Sequence, residues 1–175
     1  MNGSNLLFVG GCPRSGTALA MYLLNLHPDC DLLGEIHPSV TELTEMSRRA
    51  RPGQLVGDKS PLYSRTWPSL RSAFPSCKLI LTYRDFDATT ASIMRQVWAP
   101  PTQEWCENDL RERLAIMADC PCCLRVQLEE LEADPQPLIV EMLEYAGLSL
   151  AKYNLALGVD VVHNGDVNRS NTNGQ

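Results

Sequence analysis

A short glycine-bounded loop near the start of the chain has the residue types that bind a phosphate group. Gly11 and Gly16 flank Cys12-Pro13-Arg14-Ser15, and backbone N–H groups in such a loop can turn toward an anion. The interval from Gly11 to Gly16 is that of a P-loop, but Thr17 stands where that motif has lysine. The cation lies inside the loop instead, as Arg14. The loop is therefore predicted to bind an anion, with an ordinary glycine turn as the alternative.

Two charged residues, Glu35 and Lys59, are predicted to lie beside this loop. Glu35 ends the extended segment 30–35, and Lys59 lies in the segment 54–61, where a short strand runs into a loop. Because parallel strands end at one edge of their sheet, both side chains would reach the same cleft. A carboxylate there can accept a proton, and an ammonium group can stabilise negative charge. His37 competes with Glu35 as the acid–base group, and a solvated loop lysine is the alternative for Lys59.

A second anion site is predicted after the apolar strand 77–83. Arg84 follows that strand directly, and Ser92 comes eight residues later, on the second turn of the next predicted helix. An arginine beside a helix hydroxyl can hold a phosphate through charge-assisted hydrogen bonds. The structural alternative is an ion pair of Arg84 with an aspartate of Asp85-Phe86-Asp87.

The elements that must position these residues alternate between strand and helix. Apolar runs favour buried strands at 6–9 and 77–83. Ser39, with Glu42 three residues on, predicts a helix N-terminus with a capping box. The predicted helices are 17–27, 39–50, 63–74, 88–97 and 104–118, and a further helix follows Pro135 and ends at about 146. This alternation predicts an α/β class, with a P-loop-like three-layer fold in which helices flank a central, mainly parallel sheet.

Composition argues against several functional classes. The 175 residues carry a net charge of −6 with no basic stripe, which argues against a general nucleic-acid binder. No apolar run is long enough for a membrane span, and the first strand begins too early for a signal peptide, so we expect a cytoplasmic protein. The chain has seven cysteines, and because an odd number cannot all pair as disulfides, reduced thiols are favoured. Cys120-Pro121-Cys122-Cys123 lacks a second ligand pair, so no metal is expected.

In combination, these motifs resemble those of sulfotransferases that use 3′-phosphoadenosine 5′-phosphosulfate (PAPS). The resemblance is closest to the tyrosylprotein sulfotransferase branch and its bacterial relatives. The segments that carry it are Pro13-Arg14-Ser15-Gly16-Thr17, His27-Pro28 through Gly34-Glu35, Gly57-Asp58-Lys59-Ser60-Pro61, and Leu81-Thr82-Tyr83-Arg84-Asp85 with Ser92. The 21 residues from Arg14 to Glu35 match the spacing of the family's loop arginine and catalytic glutamate. The match extends from about Leu6 to Leu150.

The resemblance implies an enzyme that moves a sulfuryl group from PAPS to a hydroxyl or amine by in-line displacement, without a metal. By this resemblance Glu35 is the general base, and Lys59 and Arg14 stabilise charge on the transferring group. The residues expected to bind PAPS are Cys12, Pro13, Arg14, Ser15, Gly16, Thr17, Ala18, Arg84 and Ser92. Ala18 departs from the family, in which a second threonine is common at that position.

The resemblance also sets expectations for partners and domain organisation. The acceptor would be a small-molecule or peptide hydroxyl, a homodimer is compatible with the sequence, and neither nucleic acid nor membrane is expected. Residues 1–158 would form the sulfotransferase-like domain. The polar tail 159–175 would be partly disordered or close over the cofactor through Asn164 or Arg169.

Two other functional classes stay open from the sequence. One is a P-loop kinase of small molecules, against which the loop lacks the usual lysine and no apolar strand ends in a magnesium-binding aspartate. The other is a nucleotide-binding module that has kept the fold and lost the acceptor site.

Overall fold

The computed structural model describes residues 3–164 of the chain. Within these residues, five strands form one sheet and eight α-helices pack on it. The strands are β1 (Leu6–Gly11), β2 (Cys30–Gly34), β3 (Leu55–Lys59), β4 (Lys78–Tyr83) and β5 (Leu124–Gln127). The helices are α1 (Thr17–Asn25), α2 (Val40–Arg49), α3 (Tyr63–Ala73), α4 (Phe86–Met94), α5 (Gln103–Ala118), α6 (Leu128–Ala133), α7 (Pro135–Ala146) and α8 (Leu155–Asn164), with a short 3-10 helix at Leu150–Lys152.

The sheet has the order β2-β3-β1-β4-β5, and each neighbouring pair of strands is parallel. Strand β1 is central and buried along its whole length, as a continuous apolar run predicts. The register aligns Lys59 with both Val9 and Gly34, and Gly11 with Thr82. Four neighbouring strands therefore end at one edge of the sheet. The predicted α/β fold with a parallel sheet is confirmed.

Alternation along β1 sends its side chains into two separate cores. Leu7 and Val9 pack with residues of α1, α7 and α8 on one face. Leu6 and Phe8 pack with residues of α2, α3, α4 and α5 on the other face. Each large apolar side chain buried in this way stabilises the fold by about 1.5–3 kcal/mol. Each core lies between the sheet and the helices on one of its faces, as the predicted three-layer arrangement requires.

Local capping chemistry sets where two of the helices begin. The capping box predicted at the start of α2 is present, with Ser39 and Glu42 bonded reciprocally. Helix α4 begins at Phe86, two residues before the predicted start, because the Asp85 carboxylate accepts the N–H of Ala88 at 2.8 Å. That helix ends at Met94, before the predicted end at 97.

One residue considered as part of a loop lies in a strand, and part of the predicted tail lies in a helix. Lys59 is the last residue of β3, and its carbonyl oxygen accepts the N–H of Glu35 at 2.8 Å. The interpretation of Lys59 as a solvated loop lysine is therefore wrong. Helix α8 (Leu155–Asn164) includes residues 159–164, the first part of the predicted tail. The rest of that tail, including Arg169, lies outside the described residues.

Gly57 lies where β3 passes closest to β1, and its replacement tests the packing of the central strands. A Cβ at Gly57 would overlap the carbonyl oxygen of Leu7, whereas a Cβ at Gly34 would make an ordinary 3.7 Å contact with the sulfur of Met21. Gly57→Ala is therefore expected to lower the free energy of unfolding by about 1–3 kcal/mol or more. Gly34→Ala, the matched control, should change it by about 0.5 kcal/mol or less. Urea denaturation measures both, and equal stability of the two variants would contradict the predicted close approach.

Candidate active site

The predicted phosphate loop connects β1 to α1 in a conformation held by buried hydrogen bonds. The hydroxyl of Ser15 donates to the carbonyl oxygen of Cys12 at 2.6 Å and lies 2.8 Å from the hydroxyl of Thr82 on β4. Arg14 and Gly16 have φ of 64° and 88°, in the left-handed region. Gly16 is the N-cap of α1, so the positive end of that helix dipole faces the edge where the strands end.

A cleft of about 670 Å³ lies against this loop and is large enough for a nucleotide-sized ligand. Its walls include Pro13, Gly16, Thr17 and Ala18 of the predicted PAPS-binding set. The basic residues that line it are Arg14, Lys59, Arg84 and Arg113, and the acidic ones are Glu35 and Glu132. The cleft therefore combines a helix N-terminus with an excess of positive side chains, which suits an anionic ligand.

Glu35 and Lys59 form an ion pair at the edge of the cleft. The Nζ of Lys59 lies 2.6 Å from Oε1 of Glu35. The lysine side chain is only 8% exposed, whereas the glutamate side chain is 54% exposed. A buried ammonium group needs a compensating partner, and Glu35 supplies it while remaining open to the cleft. The structure thus brings together the two residues predicted to act as base and as charge stabiliser.

The backbone that carries Glu35 is held by a buried carboxylate that the sequence reasoning did not single out. Asp58 precedes Lys59 on β3 and has no exposed surface. Its carboxylate accepts the N–H groups of Ile36 and His37 at 3.3 and 3.4 Å, and the hydroxyl of Tyr63 at 2.6 Å. Burial and this hydrogen bond raise the pKa of the Tyr63 phenol, which therefore stays protonated as a donor. His37, the competing acid–base candidate, also lines the cleft.

The two residues of the predicted second anion site have different partners in the structure. Arg84 lines the cleft, with its Nε 3.4 Å from Oε1 of Glu129. Its ion-pair partner is therefore Glu129, whereas Asp85, one of the two aspartates considered, caps α4. Ser92 is buried on α4 and accepts a hydrogen bond from Nε of Arg14 at 3.3 Å. Ser92 thus ties α4 to the phosphate loop.

Arg113 of α5 is a further cleft residue that the sequence reasoning missed. Its side chain is 9% exposed and pairs with Asp109 at 2.6 Å. Its Nη1 donates to the carbonyl oxygen of Pro61 at 3.2 Å and to the hydroxyl of Ser64 at 3.0 Å. Arg113 therefore fixes the chain just after Lys59. The alternating charges of its helix are typical of a solvated face, so the sequence offered no reason to place Arg113 in a cleft. The signal that could have identified it is the four-residue interval from Asp109, which allows an ion pair within the helix.

The cysteine thiols are free, and most are buried. Burial raises the pKa of Cys12 to about 11 and that of Cys30 to about 12. Among residues 3–164, no group of three or more His, Cys, Asp or Glu side chains is arranged to hold a metal ion. Over the same range, no helix has the length and apolar character needed to cross a membrane.

A five-stranded parallel sheet with a glycine-bounded loop after its central strand defines an α/β protein, and comparisons with known proteins give its family. The sequence profile of the sulfotransferase family matches residues 36–152. A Caenorhabditis briggsae protein named "Putative protein-tyrosine sulfotransferase" is 27% identical over 198 aligned positions, which cover 88% of this chain and 69% of that protein. The chain belongs to the sulfotransferase family.

Solved sulfotransferases share the fold at low sequence identity. The mouse sulfotransferase SULT7A1, crystallised with PAP, superimposes with a TM-score of 0.67 at 14% identity, covering 91% of this chain and 65% of that one. A sulfotransferase from Alicyclobacillus acidocaldarius gives a TM-score of 0.58 at 16% identity, covering 82% of this chain and 81% of that one. These likenesses show that the chain shares the fold of the two solved sulfotransferases.

The burial of Cys12 inside the phosphate loop leads to a prediction about thiol reactivity. Because the thiolate is the reactive form, the exposed Cys122 should react with iodoacetamide at about pH 7.5 in the folded protein, while Cys12 and Cys30 should not. Urea should expose all three to labelling. Peptide mapping by mass spectrometry measures this, and labelling of Cys12 as fast as Cys122 in the folded protein would contradict the buried position of Cys12.

Proposed function

We propose that this protein transfers a sulfuryl group from PAPS to a hydroxyl or amine acceptor, with Glu35 as the general base. The observation that carries the proposal is the Glu35–Lys59 ion pair, 2.6 Å long, at the edge of a cation-rich cleft beside the phosphate loop. A proton acceptor and a charge stabiliser at one point are what sulfuryl transfer to a neutral nucleophile requires. The family membership of the chain supports the same reaction.

The donor would bind along the loop and the neighbouring strand end. The N-terminus of α1 and the Arg14 guanidinium offer hydrogen-bond donors and positive charge for the 5′-phosphosulfate. Arg84 is the candidate for the 3′-phosphate, because it lines the cleft at the end of β4. Ser92 would assist once Arg14 turns from it toward the ligand. The PAP complex of the mouse relative supports a donor of this chemical class.

The proposed chemistry is an in-line displacement at sulfur. A bond forms between the acceptor oxygen and sulfur while the bond from sulfur to the 5′-phosphate oxygen breaks, so the products are the sulfated acceptor and PAP. Glu35 takes the acceptor's proton, and Lys59 stabilises the charge that grows on the leaving oxygen. The ion pair of the free protein must loosen as Lys59 turns to that oxygen, which leaves the Glu35 carboxylate available to the acceptor.

The proposed acceptor is a small-molecule or peptide hydroxyl. Leu62 and Trp98 are largely exposed and line the cleft together with the charged residues. An acceptor with an apolar or aromatic body would pack against these side chains. A phenol, whether a free phenolic compound or a tyrosine side chain in a peptide, combines such a body with the hydroxyl that Glu35 would deprotonate.

Replacement of Glu35 tests the proposed base. Glu35→Gln keeps the size and a hydrogen-bond acceptor for Lys59 but cannot take a proton, so kcat should fall by about 100-fold or more. The assay measures ³⁵S transfer from PAPS to 4-nitrophenol, 2-naphthol or a tyrosine peptide, using the acceptor that the wild type sulfates fastest. His37→Ala, the control in the same segment, should be much less impaired. Near-full activity of Glu35→Gln would show that another group is the base.

Replacement of Arg84 tests the proposed 3′-phosphate contact. Loss of a hydrogen bond to a charged group costs about 1.5–3 kcal/mol, so Arg84→Ala should bind 3′,5′-diphosphoadenosine about 10- to 150-fold more weakly. Its affinity for 5′-AMP should change little, because that nucleotide lacks the 3′-phosphate. Arg95→Ala removes the same charge from an exposed position outside the cleft and serves as the control. Calorimetry that finds equal losses for both nucleotides would refute the assignment of Arg84.

A further inference from the structure

The segment that delivers Glu35 to the cleft has an unusual backbone conformation. Glu35 and His37 have φ of 59° and 51°, in the left-handed region that favours glycine. Neither residue is glycine, so the turn Glu35–His37 is strained and requires support from its surroundings. Its orientation decides where the Glu35 carboxylate points, because the side chain leaves the chain at the first of these strained residues.

Asp58 supplies that support from inside the protein. It is fully buried, and its two carboxylate oxygens accept hydrogen bonds from the N–H groups of Ile36 and His37. An ionised carboxylate is an acceptor at both oxygens, so it suits two backbone donors that point the same way. The Tyr63 hydroxyl, 2.6 Å from Oδ2, is the third donor that compensates the buried charge.

Asp58 and Lys59 are consecutive on β3 and therefore point to opposite faces of the sheet. Lys59 binds the carboxylate of Glu35 from one face, while Asp58 binds the backbone just beyond Glu35 from the other. The N–H of Glu35 itself donates to the carbonyl oxygen of Lys59. The end of β3 thus holds both the backbone and the side chain of Glu35.

We propose that Asp58 is a positioning residue, which fixes the left-handed turn Glu35–His37 and so aims the Glu35 carboxylate at the acceptor. The inference rests on the proposed role of Glu35 as base. Asp58 is not among the residues that line the cleft, and its carboxylate bonds to the turn and to Tyr63. Its effect on turnover should therefore pass through Glu35.

A double-mutant cycle between Asp58 and Glu35 tests this coupling. Asp58→Asn keeps the size of the side chain but replaces one acceptor oxygen with an NH₂ group, which cannot accept from the turn or from Tyr63. In the wild-type background it should lower kcat by about tenfold or more and leave the KM for PAPS within about threefold. In the Glu35→Gln background the same change should lower kcat by less than about threefold, because the aim of the base no longer matters.

Amide hydrogen exchange provides a readout independent of activity. Asp58→Asn should speed the exchange of the peptide that contains Ile36 and His37, while the peptide of β1 stays protected. Affinity for 3′,5′-diphosphoadenosine within about twofold of wild type would show that the cleft is intact. If Asp58→Asn does not fold, Tyr63→Phe takes its place in the cycle, since it removes one donor to Asp58 and should give a smaller loss with the same dependence on Glu35.

The outcomes separate this inference from the proposed function. Equal loss of kcat in both backgrounds would give Asp58 a general structural role and overturn the inference. Full activity of the Asp58 variant beside a strongly impaired Glu35→Gln would also overturn it, while leaving the assignment of the base intact. Full activity of Glu35→Gln would instead overturn the base assignment and, with it, the positioning role of Asp58.

Discussion

The parallel alignment of the strands is the constraint on which the rest of the site depends. Because β2, β3, β1 and β4 run in the same direction and in register, Gly34, Lys59 and Gly11 lie along one edge of the sheet. Lys59, the Glu35 that follows Gly34 and the loop that follows Gly11 are far apart in the chain but adjacent in space. The phosphate loop, the glutamate and the lysine therefore meet without a long loop to bring them together. Glycine at position 57 permits the close approach of β3 to β1.

The positively charged side chains of the cleft have partners within the protein. Three of its cations are paired with carboxylates: Lys59 with Glu35, Arg84 with Glu129, and Arg113 with Asp109. Arg14 donates to the Ser92 hydroxyl. These contacts occupy the cations in the free protein, so Lys59 and Arg14 must exchange their present partners for an anionic ligand when it binds. The ligand must compete with the carboxylates, which favours a multiply charged donor over a singly charged one.

The sequence predicted the parts of the site that follow from local pattern. The loop residues, Glu35 and Lys59 each stand at the end of an apolar or extended segment, so the parallel fold was enough to bring them together. Asp58 could not be recognised in this way, since its donors Ile36 and His37 lie more than 20 residues upstream and meet it only in the folded sheet. The partner of Arg84 was missed for the same reason, because Glu129 comes from the start of α6.

The choice between two donors shows most directly whether this cleft transfers sulfuryl groups. The wild-type protein would be given equal concentrations of PAPS labelled with ³⁵S and ATP labelled with ³²P at the γ-phosphate, together with a mixture of phenols and a tyrosine peptide. We expect ³⁵S to enter an acceptor and ³²P to remain in the nucleotide. Transfer of ³²P without ³⁵S would identify a kinase, and binding of 3′,5′-diphosphoadenosine with transfer of neither label would identify a nucleotide-binding module. Either result would contradict sulfuryl transfer by this cleft.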